Sequence, residues 1–216
     1  MTLTESQVTL PTYPARPING GPLPKAPRKS GNWHYEPKYN GWRALVHIAT
    51  GTMFNRKGEK LSIASEFKPA LDKLRVTLDC EAFKWADCEA LERRHCIGRG
   101  TLIVLDVIPE PDCLDVCYTE RREWLAHVLP APTKLATVLA SDAIYLTPAS
   151  INGIALWDEC HEANALLRGW QQAKGVSKPQ DFYEGVVAKR TDSRYPMQLR
   201  RPDEETHTWM KHRWAW

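Results

Sequence analysis

The chain has 216 residues, 43% of them hydrophobic, which is enough for one sizeable core and a small appendage. Its 29 basic and 26 acidic residues leave a formal net charge of +3, a mild excess that permits a polyanionic partner without requiring one. No apolar run is long enough to span a membrane and no export signal opens the chain, so we expect a soluble, cytoplasmic monomer without a membrane partner.

The first 30 residues are rich in proline. Proline lacks an amide donor and fixes the backbone angle φ, so it interrupts helices and sheets. We therefore predict an extended arm without regular secondary structure over residues 1–30, followed by one domain over residues 31–216. The prolines concerned are Pro11, Pro14, Pro17, Pro22, Pro24 and Pro27.

Beyond the arm, β-rich segments alternate with segments whose apolar residues recur at helical spacing. Strands joined by hairpins or by single helices, without a regular βαβ alternation, indicate an α+β domain built on antiparallel sheets. The predicted strands are 44–48, 52–55, 76–83, 101–108, 182–189 and 206–211, and the predicted helices are 66–74, 120–128 and 156–173.

A lysine, Lys38, lies in the segment Glu36-Pro37-Lys38-Tyr39-Asn40-Gly41-Trp42-Arg43. In isolation, a lysine beside Asn-Gly indicates an exposed residue next to a hairpin turn. A lysine can also act as a nucleophile, but an ordinary lysine with a pKa of about 10.4 is protonated at neutral pH. Burial or nearby cations, such as Lys189, Lys211 or a divalent metal, would have to favour the neutral amine.

The neighbours of Lys38 suit a bound nucleoside triphosphate. Gly41 lets the backbone approach a phosphate closely, and Arg43 offers a planar fork to phosphate oxygens. Glu36 can accept a hydrogen bond from a purine amino group or a ribose hydroxyl. Together these residues favour a lysine nucleophile for nucleotidyl transfer.

Five segments, taken in order, resemble the motifs of the covalent nucleotidyltransferases, a superfamily of ATP-dependent DNA ligases, RNA ligases and mRNA capping enzymes. The first motif of that superfamily is Lys-x-Asp-Gly-x-Arg. The resemblance runs from about Tyr35 to Arg213. The matching segments are Lys38-Tyr39-Asn40-Gly41-Trp42-Arg43, Leu78-Asp79-Cys80-Glu81, Leu102-Ile103-Val104-Leu105-Asp106-Val107, Glu184-Gly185-Val186-Val187-Ala188-Lys189 and Thr208-Trp209-Met210-Lys211-His212-Arg213.

The resemblance implies an adenylation domain of two packed antiparallel sheets flanked by helices, with the nucleotide in the cleft between them. It implies that Lys38 attacks ATP in the presence of Mg²⁺ or Mn²⁺, carries AMP, and passes it to a nucleic-acid end. It further implies that Glu36 contacts adenine, that Leu105 lines the base pocket, and that Glu81 binds ribose or a metal-bound water. Glu184 would bind the metal, and the phosphates would be held by Arg43, Arg56, Lys189, Lys211 and Arg213.

The sequence departs from the family in three respects. Asn40 replaces the aspartate of the first motif, which removes a negative charge beside Lys38. No segment follows the fifth motif that could form the OB-fold domain of DNA ligases, so we expect a minimal form without it. Leu105 stands where many relatives place an aromatic ring against adenine. Apart from these departures, strict alternation of side chains along a strand would place Glu184 and Lys189 on opposite faces unless a bulge intervenes.

The sequence therefore favours an ATP-dependent polynucleotide ligase that seals nicked duplex DNA. An RNA ligase, or a ligase of mixed RNA and DNA ends, stays open because the sequence does not reveal contacts to the 2′-hydroxyl. A capping guanylyltransferase is disfavoured by the Trp209-Met210-Lys211 segment. The alternative of another class is a non-catalytic module that binds nucleic-acid ends through basic side chains.

Overall fold

The structure is a computed structural model, which describes residues 8–23, 32–78, 80–91, 99–113, 115–131, 135, 144–197 and 204–214. These residues form three helices and nine strands. The helices are α1 (Lys68–Thr77), α2 (Tyr118–Val128) and α3 (Gly153–Ala173). The strands are β1 (Pro17–Asn19), β2 (Trp33–Tyr39), β3 (Trp42–His47), β4 (Thr52–Phe54), β5 (Phe83–Ala90), β6 (Leu102–Pro109), β7 (Ile144–Leu146), β8 (Tyr183–Arg190) and β9 (Thr206–Arg213).

The strands form two sheets, which confirms the predicted α+β class. One sheet has four strands in the order β1-β9-β8-β2, and the other has five in the order β4-β3-β5-β6-β7. The sheets are not purely antiparallel as predicted, because β1 runs parallel to β9 and β7 runs parallel to β6. A parallel neighbour needs a long crossover, and α2 lies in the crossover between β6 and β7.

The helices cover the outer faces of the sheets. Helix α1 buries Ala70, Leu71 and Leu74 in a core shared with the five-stranded sheet, and Leu125 of α2 joins the same core. Helix α3 packs on β2 and β8 of the four-stranded sheet. This arrangement leaves the inner faces of both sheets turned towards each other, and the polar side chains of the candidate site lie on those faces.

Helix α3 confirms the longest predicted helix, residues 156–173, and its sequence explains its position. Its buried residues Leu156, Cys160, Ala163 and Leu167 recur at spacings of three and four, so one stripe of the helix faces the sheet. The side chain of Asn152 caps the start by accepting a hydrogen bond from the amide of Ala155 at 3.0 Å. The helix ends before Gly175, whose φ is +79°.

The prediction of an arm without secondary structure is wrong at β1. Residues 17–19 pair with β9 at the edge of the four-stranded sheet, and Ala15 and Leu23 are buried. Pro17 fits there because proline is tolerated at the first residue of a strand and at a sheet edge. The predicted domain boundary between residues 30 and 31 lies outside the described residues.

The predicted strand over residues 76–83 is also wrong. Residues up to Thr77 belong to α1, and β5 begins only at Phe83. The β-branched residues Val76 and Thr77 favour a strand locally, but burial of Leu74 at the end of α1 extends the helix to them. Because α1 ends at Thr77 and β5 begins at Phe83, Cys80 and Glu81 of the third motif lie in the turn before β5. Asp79 of that motif lies outside the described residues.

No helix in the described part of the chain is both long and apolar enough to cross a membrane.

Candidate functional site

The inner face of the four-stranded sheet carries most of the predicted site. Antiparallel partners point to the same face of a sheet, and the register pairs Glu36 with Val187 and Lys38 with Gly185. Val187 in turn pairs with Lys211 of β9. The structure therefore brings β2, β8 and β9 together so that Glu36, Lys38 and Lys211 share one face.

A bulge in β8 brings Glu184 to the same face. Lys38 pairs with Gly185 and Tyr39 pairs with Tyr183, so Glu184 is an extra residue in its strand. Gly185 adopts a φ of +145°, a conformation that residues with a side chain rarely adopt. The bulge explains how Glu184 and Lys189, five residues apart, both point into the space between the sheets.

Lys38 forms an ion pair at the mouth of this space. Its Nζ contacts Oε1 of Glu184, and a guanidinium nitrogen of Arg213 lies 3.5 Å from the same oxygen. The Lys38 side chain is 20% exposed and that of Glu184 is 32% exposed, so both are accessible to a ligand that enters from solvent. Three of the predicted residues therefore meet at one point.

A second group of charges adjoins the first. Lys211 Nζ lies 3.8 Å from Oε1 of Glu205, and Nε of Arg16 lies 3.5 Å from the same oxygen. Burial lowers the pKa of Lys211, and the cations Arg213, Arg16 and Lys38 lower it further, although Glu205 opposes this change. Arg16 is a residue that the sequence reasoning missed, because only the pairing of β1 with β9 brings it here.

Deeper between the sheets, Glu36 and Lys189 form a buried ion pair. Lys189 Nζ lies 2.9 Å from Oε2 of Glu36, and each side chain is only 2% exposed. The hydroxyl of Tyr118 donates to the other oxygen of Glu36 at 2.7 Å. Both oxygens of Glu36, which the sequence predicts to contact adenine, are therefore already engaged by protein groups.

Lys189 has further partners on the five-stranded sheet. Its Nζ donates to the carbonyl oxygen of Leu105 at 2.9 Å, lies 3.6 Å from Oδ2 of Asp106, and sits 4.2 Å from the ring centre of Trp209. This set of contacts satisfies the three donors of a buried ammonium. These contacts engage Lys189 inside the protein, and its role in holding a phosphate stays a prediction.

Asp106 is a buried acid that the sequence reasoning did not assign to the site. Burial would raise the pKa of its carboxyl, but Arg121 and Lys189 outweigh this effect and hold the pKa below its ordinary value. Arg121 donates to both carboxylate oxygens, at 2.8 and 3.0 Å. Leu105 is an extra residue in β6, because Cys88 pairs with Val104 and Asp87 pairs with Asp106, so Asp106 points to the same face of the sheet as Asp87. Leu105 itself is buried.

Arg43, predicted to bind phosphate, has a different partner in the structure. Its guanidinium forms a two-pronged ion pair with the buried carboxylate of Asp87 on β5. The hydroxyl of Tyr195 also donates to Asp87, at 2.7 Å. Arg43 therefore connects β3 to β5, and breaking this pair would leave a buried carboxylate without its counter-ion.

Two predicted residues are not brought to Lys38. Glu81 is exposed in the turn before β5, whereas the other end of β5 lies near the segment after Lys38. Phe83 and Glu89 are six residues apart, which is about 20 Å along a strand. Arg56 is exposed in the turn after β4, and its side chain forms no ion pair within the described part of the chain.

The acid that does lie near Lys38 on the five-stranded sheet is Glu89. It is 8% exposed, and its Oε1 accepts a hydrogen bond from the amide of Gly41 at 3.0 Å. Burial raises the pKa of Glu89, and Glu184 contributes in the same direction, while Lys38 and Arg43 act against it. The sequence contained a signal for this residue, because Asp-Cys-Glu-Ala occurs at 79–82 and again at 87–90.

Asn40 also has a structural role. Its side-chain amide donates to the carbonyl oxygen of Asp181 at 3.0 Å. An ionised aspartate at position 40 would have no donor for this bond. The hydrogen bond to Asp181 therefore accounts for asparagine in place of the aspartate of the first motif.

The donor set is compatible with a hard divalent cation at Glu184. Lys38 and Arg213 both contact Oε1 of Glu184, and the Glu184 side chain is 32% exposed, so a ligand from solvent can reach its carboxylate. Among the described residues there is no cluster of three or more His, Cys, Asp or Glu side chains. A cation bound to Glu184 would therefore take its other ligands from phosphate oxygens and water, as Mg²⁺ commonly does.

Comparison of the sequence with protein-family models and with curated proteins gives no match. Solved structures do match the fold. The ligase domain from M. tuberculosis LigD is 20% identical with a TM-score of 0.53, over 94% of this chain and 59% of that one. Mycobacterial DNA ligase D complexed with ATP and MES is 21% identical with a TM-score of 0.52, over 94% and 60%. Pmar-Lig_Pre is 17% identical with a TM-score of 0.52, over 97% and 48%.

The chain thus spans about half to three fifths of the length of these structures. At this level of identity the similarity concerns the fold. It agrees with the resemblance inferred from the motifs: the chain has the fold of the ligase domain of DNA ligases.

Proposed function

We propose that this chain is the nucleotidyltransferase core of an ATP-dependent polynucleotide ligase and that Lys38 is its nucleophile. The observation that carries the proposal is the position of Lys38. It is partly exposed at the mouth of the space between the sheets, in contact with Glu184 and on the same face as Lys211.

The first step joins Lys38 to AMP. The Lys38 amine attacks in its neutral form, after the proton of its ammonium has passed to solvent, which reaches the 20% exposed side chain. A bond then forms between Nζ and the α-phosphorus of ATP, and the bond from that phosphorus to pyrophosphate breaks. Mg²⁺ or Mn²⁺ bound to Glu184 would supply neutralisation of charge on the phosphate oxygens.

The remaining cations serve the phosphates. Lys211, Arg213 and Arg16 lie around the entrance, where positive charge stabilises developing negative charge on transferring phosphoryl groups. In the second step, an oxygen of a nucleic-acid 5′-phosphate attacks the AMP phosphorus and releases the lysine. In the third, a 3′-hydroxyl attacks that 5′-phosphate, AMP leaves, and the strand is closed.

Nucleotide labelling tests the proposal. The protein is incubated with ATP or GTP labelled at the α-phosphate, with Mg²⁺ or Mn²⁺, and the chain is examined for acid-labile label. We expect label from ATP, none in Lys38→Ala, and normal labelling in Lys68→Ala, a control that removes an exposed lysine of α1. Label from GTP alone would indicate capping chemistry, and no label with retained end binding would indicate a non-catalytic module.

A second experiment decides the substrate. Nicked duplexes made of DNA, of RNA and of mixed strands are offered to the pre-adenylylated protein, and the closed strand is measured. We expect sealing of nicked DNA. Sealing of only the RNA-containing duplexes would replace the DNA ligase by an RNA ligase or a ligase of mixed ends.

A further inference from the structure

The tetrapeptide Asp-Cys-Glu-Ala occurs twice in this chain, eight residues apart. The two copies have opposite surroundings. Glu81 of the first copy is exposed in a turn, whereas Glu89 of the second is buried in β5 beside the segment that follows Lys38. Identical local sequence therefore leads to one acid in solvent and one acid at the candidate site.

Glu89 contacts the turn between the two sheets. Lys38 belongs to β2 of the four-stranded sheet, Arg43 belongs to β3 of the five-stranded sheet, and the turn at residues 40–41 connects them. The amide of Gly41, in the middle of this connection, donates to Glu89 at 3.0 Å. Glu89 thus attaches the segment after Lys38 to the opposite sheet.

The packing around this contact leaves little freedom. A Cβ atom at Gly41 would lie 2.8 Å from Cγ of Glu89 and 2.9 Å from the carbonyl oxygen of Ala90. Asp87, two residues before Glu89 on the same face of β5, holds Arg43 at the far end of the segment. Two acids of one tetrapeptide therefore hold the turn and the strand that follow the lysine.

We propose that Glu89, and not Glu81, is a positioning residue for the modification of Lys38: by accepting the Gly41 amide it holds the Lys38 segment at the distance from the five-stranded sheet that the attack on a nucleotide requires. The inference rests on the proposed function, since positioning is measured through the reaction of Lys38. Glu89 would act through the backbone of Gly41.

Three substitutions at position 89 separate this role from others. Glu89→Gln keeps a carbonyl oxygen at the same reach, so it can still accept from Gly41. Glu89→Asp keeps the charge but shortens the side chain by one carbon, and Glu89→Ala removes both. Glu81→Ala is the matched control, because it removes the same side chain from the same tetrapeptide at the exposed copy.

The measurement is the single-turnover rate of lysine labelling from ATP, together with the ATP concentration that gives half the maximal rate. We expect Glu89→Asp and Glu89→Ala to lose about a hundredfold in maximal rate, since a misplacement of about 1 Å has this effect on reacting groups, with little change in half-saturation. Glu89→Gln should stay within about threefold of the unchanged protein, and Glu81→Ala should equal it.

The outcomes are distinguishable. Failure of the unchanged protein to take up label would remove the proposed function itself. If the unchanged protein is labelled, a normal rate in Glu89→Asp, or a rate in Glu89→Gln as low as in Glu89→Ala, would overturn the positioning role. Should Glu89→Ala not fold, the comparison of the Gln and Asp variants still decides the question.

Discussion

Lys38 and Gly185 are paired across β2 and β8, and the backbone of Gly185 turns the preceding residue, Glu184, towards the lysine. The ion pair of Lys38 therefore depends on one glycine in the neighbouring strand.

Gly185→Ala should destabilise the fold strongly. An added Cβ would lie 2.8 Å from the carbonyl carbon of His212 and 2.9 Å from Cα of Arg213, and closer still to the His212 oxygen. These are backbone atoms, and the φ of +145° is itself strained for alanine, so we expect a loss of about 3 kcal/mol in the free energy of unfolding. Urea denaturation measures it.

The matched control is Gly169→Ala in α3, where an added Cβ meets nothing within 4 Å. Alanine is a better helix former than glycine, so this variant should gain up to about 1 kcal/mol. Equal unfolding midpoints for the two variants would contradict the account of the bulge.

Lys189→Met should also destabilise the protein, because it removes a buried charge without changing the side-chain length much. Asp106 would keep Arg121, but Glu36 would lose the cation 2.9 Å from its Oε2, and an uncompensated buried carboxylate costs about 3 kcal/mol. Lys68→Met, at an exposed pair with Asp72, should change stability by less than about 0.5 kcal/mol. Thermal or urea unfolding of both variants checks the prediction; a Lys189→Met protein as stable as the control would refute it.

Glu89 makes the stability of the protein depend on pH. Its pKa is raised by burial, so folding favours its neutral form. This contribution is fully present below the unfolded-state pKa of about 4.3 and is lost as the pH rises through the higher folded-state pKa. Glu89→Gln, which cannot ionise, should therefore be more stable than the unchanged protein at pH 7 and equally stable near pH 4.

Urea unfolding at both pH values measures this difference, with Glu81→Gln as the exposed control that should show none. A Gln variant that is less stable at pH 7 than the unchanged protein would mean that the carboxylate is stabilised by its cationic neighbours more than burial disfavours it.

Arg16 should contribute to ATP binding although it precedes the motifs. It shares Glu205 with Lys211 at the entrance, so Arg16→Ala should lower the affinity for ATP about fivefold, close to 1 kcal/mol, and the loss should shrink at high salt. Arg75→Ala, an exposed arginine of α1, is the control and should bind ATP normally. Calorimetric titration at low and high salt measures both, and equal affinities would exclude Arg16 from the site.

Prediction from sequence succeeded where the pattern is local. Helices α2 and α3 and strands β8 and β9 lie within a few residues of their predicted positions, because apolar spacing and terminating residues belong to the same short segment. It failed for β1, β2 and β7, which the pattern did not mark as strands. It failed again at residues 76–83, where burial on α1 outweighed the strand preference of Val76 and Thr77.

The site was predictable as a set of residue types but not as an arrangement. The alternation of side chains along a single strand cannot show that Glu184 and Lys189 share a face of the sheet. They do so because of the bulge at Glu184, which is defined only by the pairing of β8 with β2. The sequence also cannot show that Arg43 forms an ion pair with Asp87. These two residues are 44 positions apart in the chain and meet through the pairing of β3 with β5.

The amino-acid sequence alone determined the order of the motifs, the lysine at their head and the α+β class, because each depends on neighbouring residues. Only the tertiary structure decided which of two identical tetrapeptides supplies the acid near Lys38, and which charges are already paired inside the protein. Strand register and bulges decide both, and they arise from contacts between residues far apart in the chain.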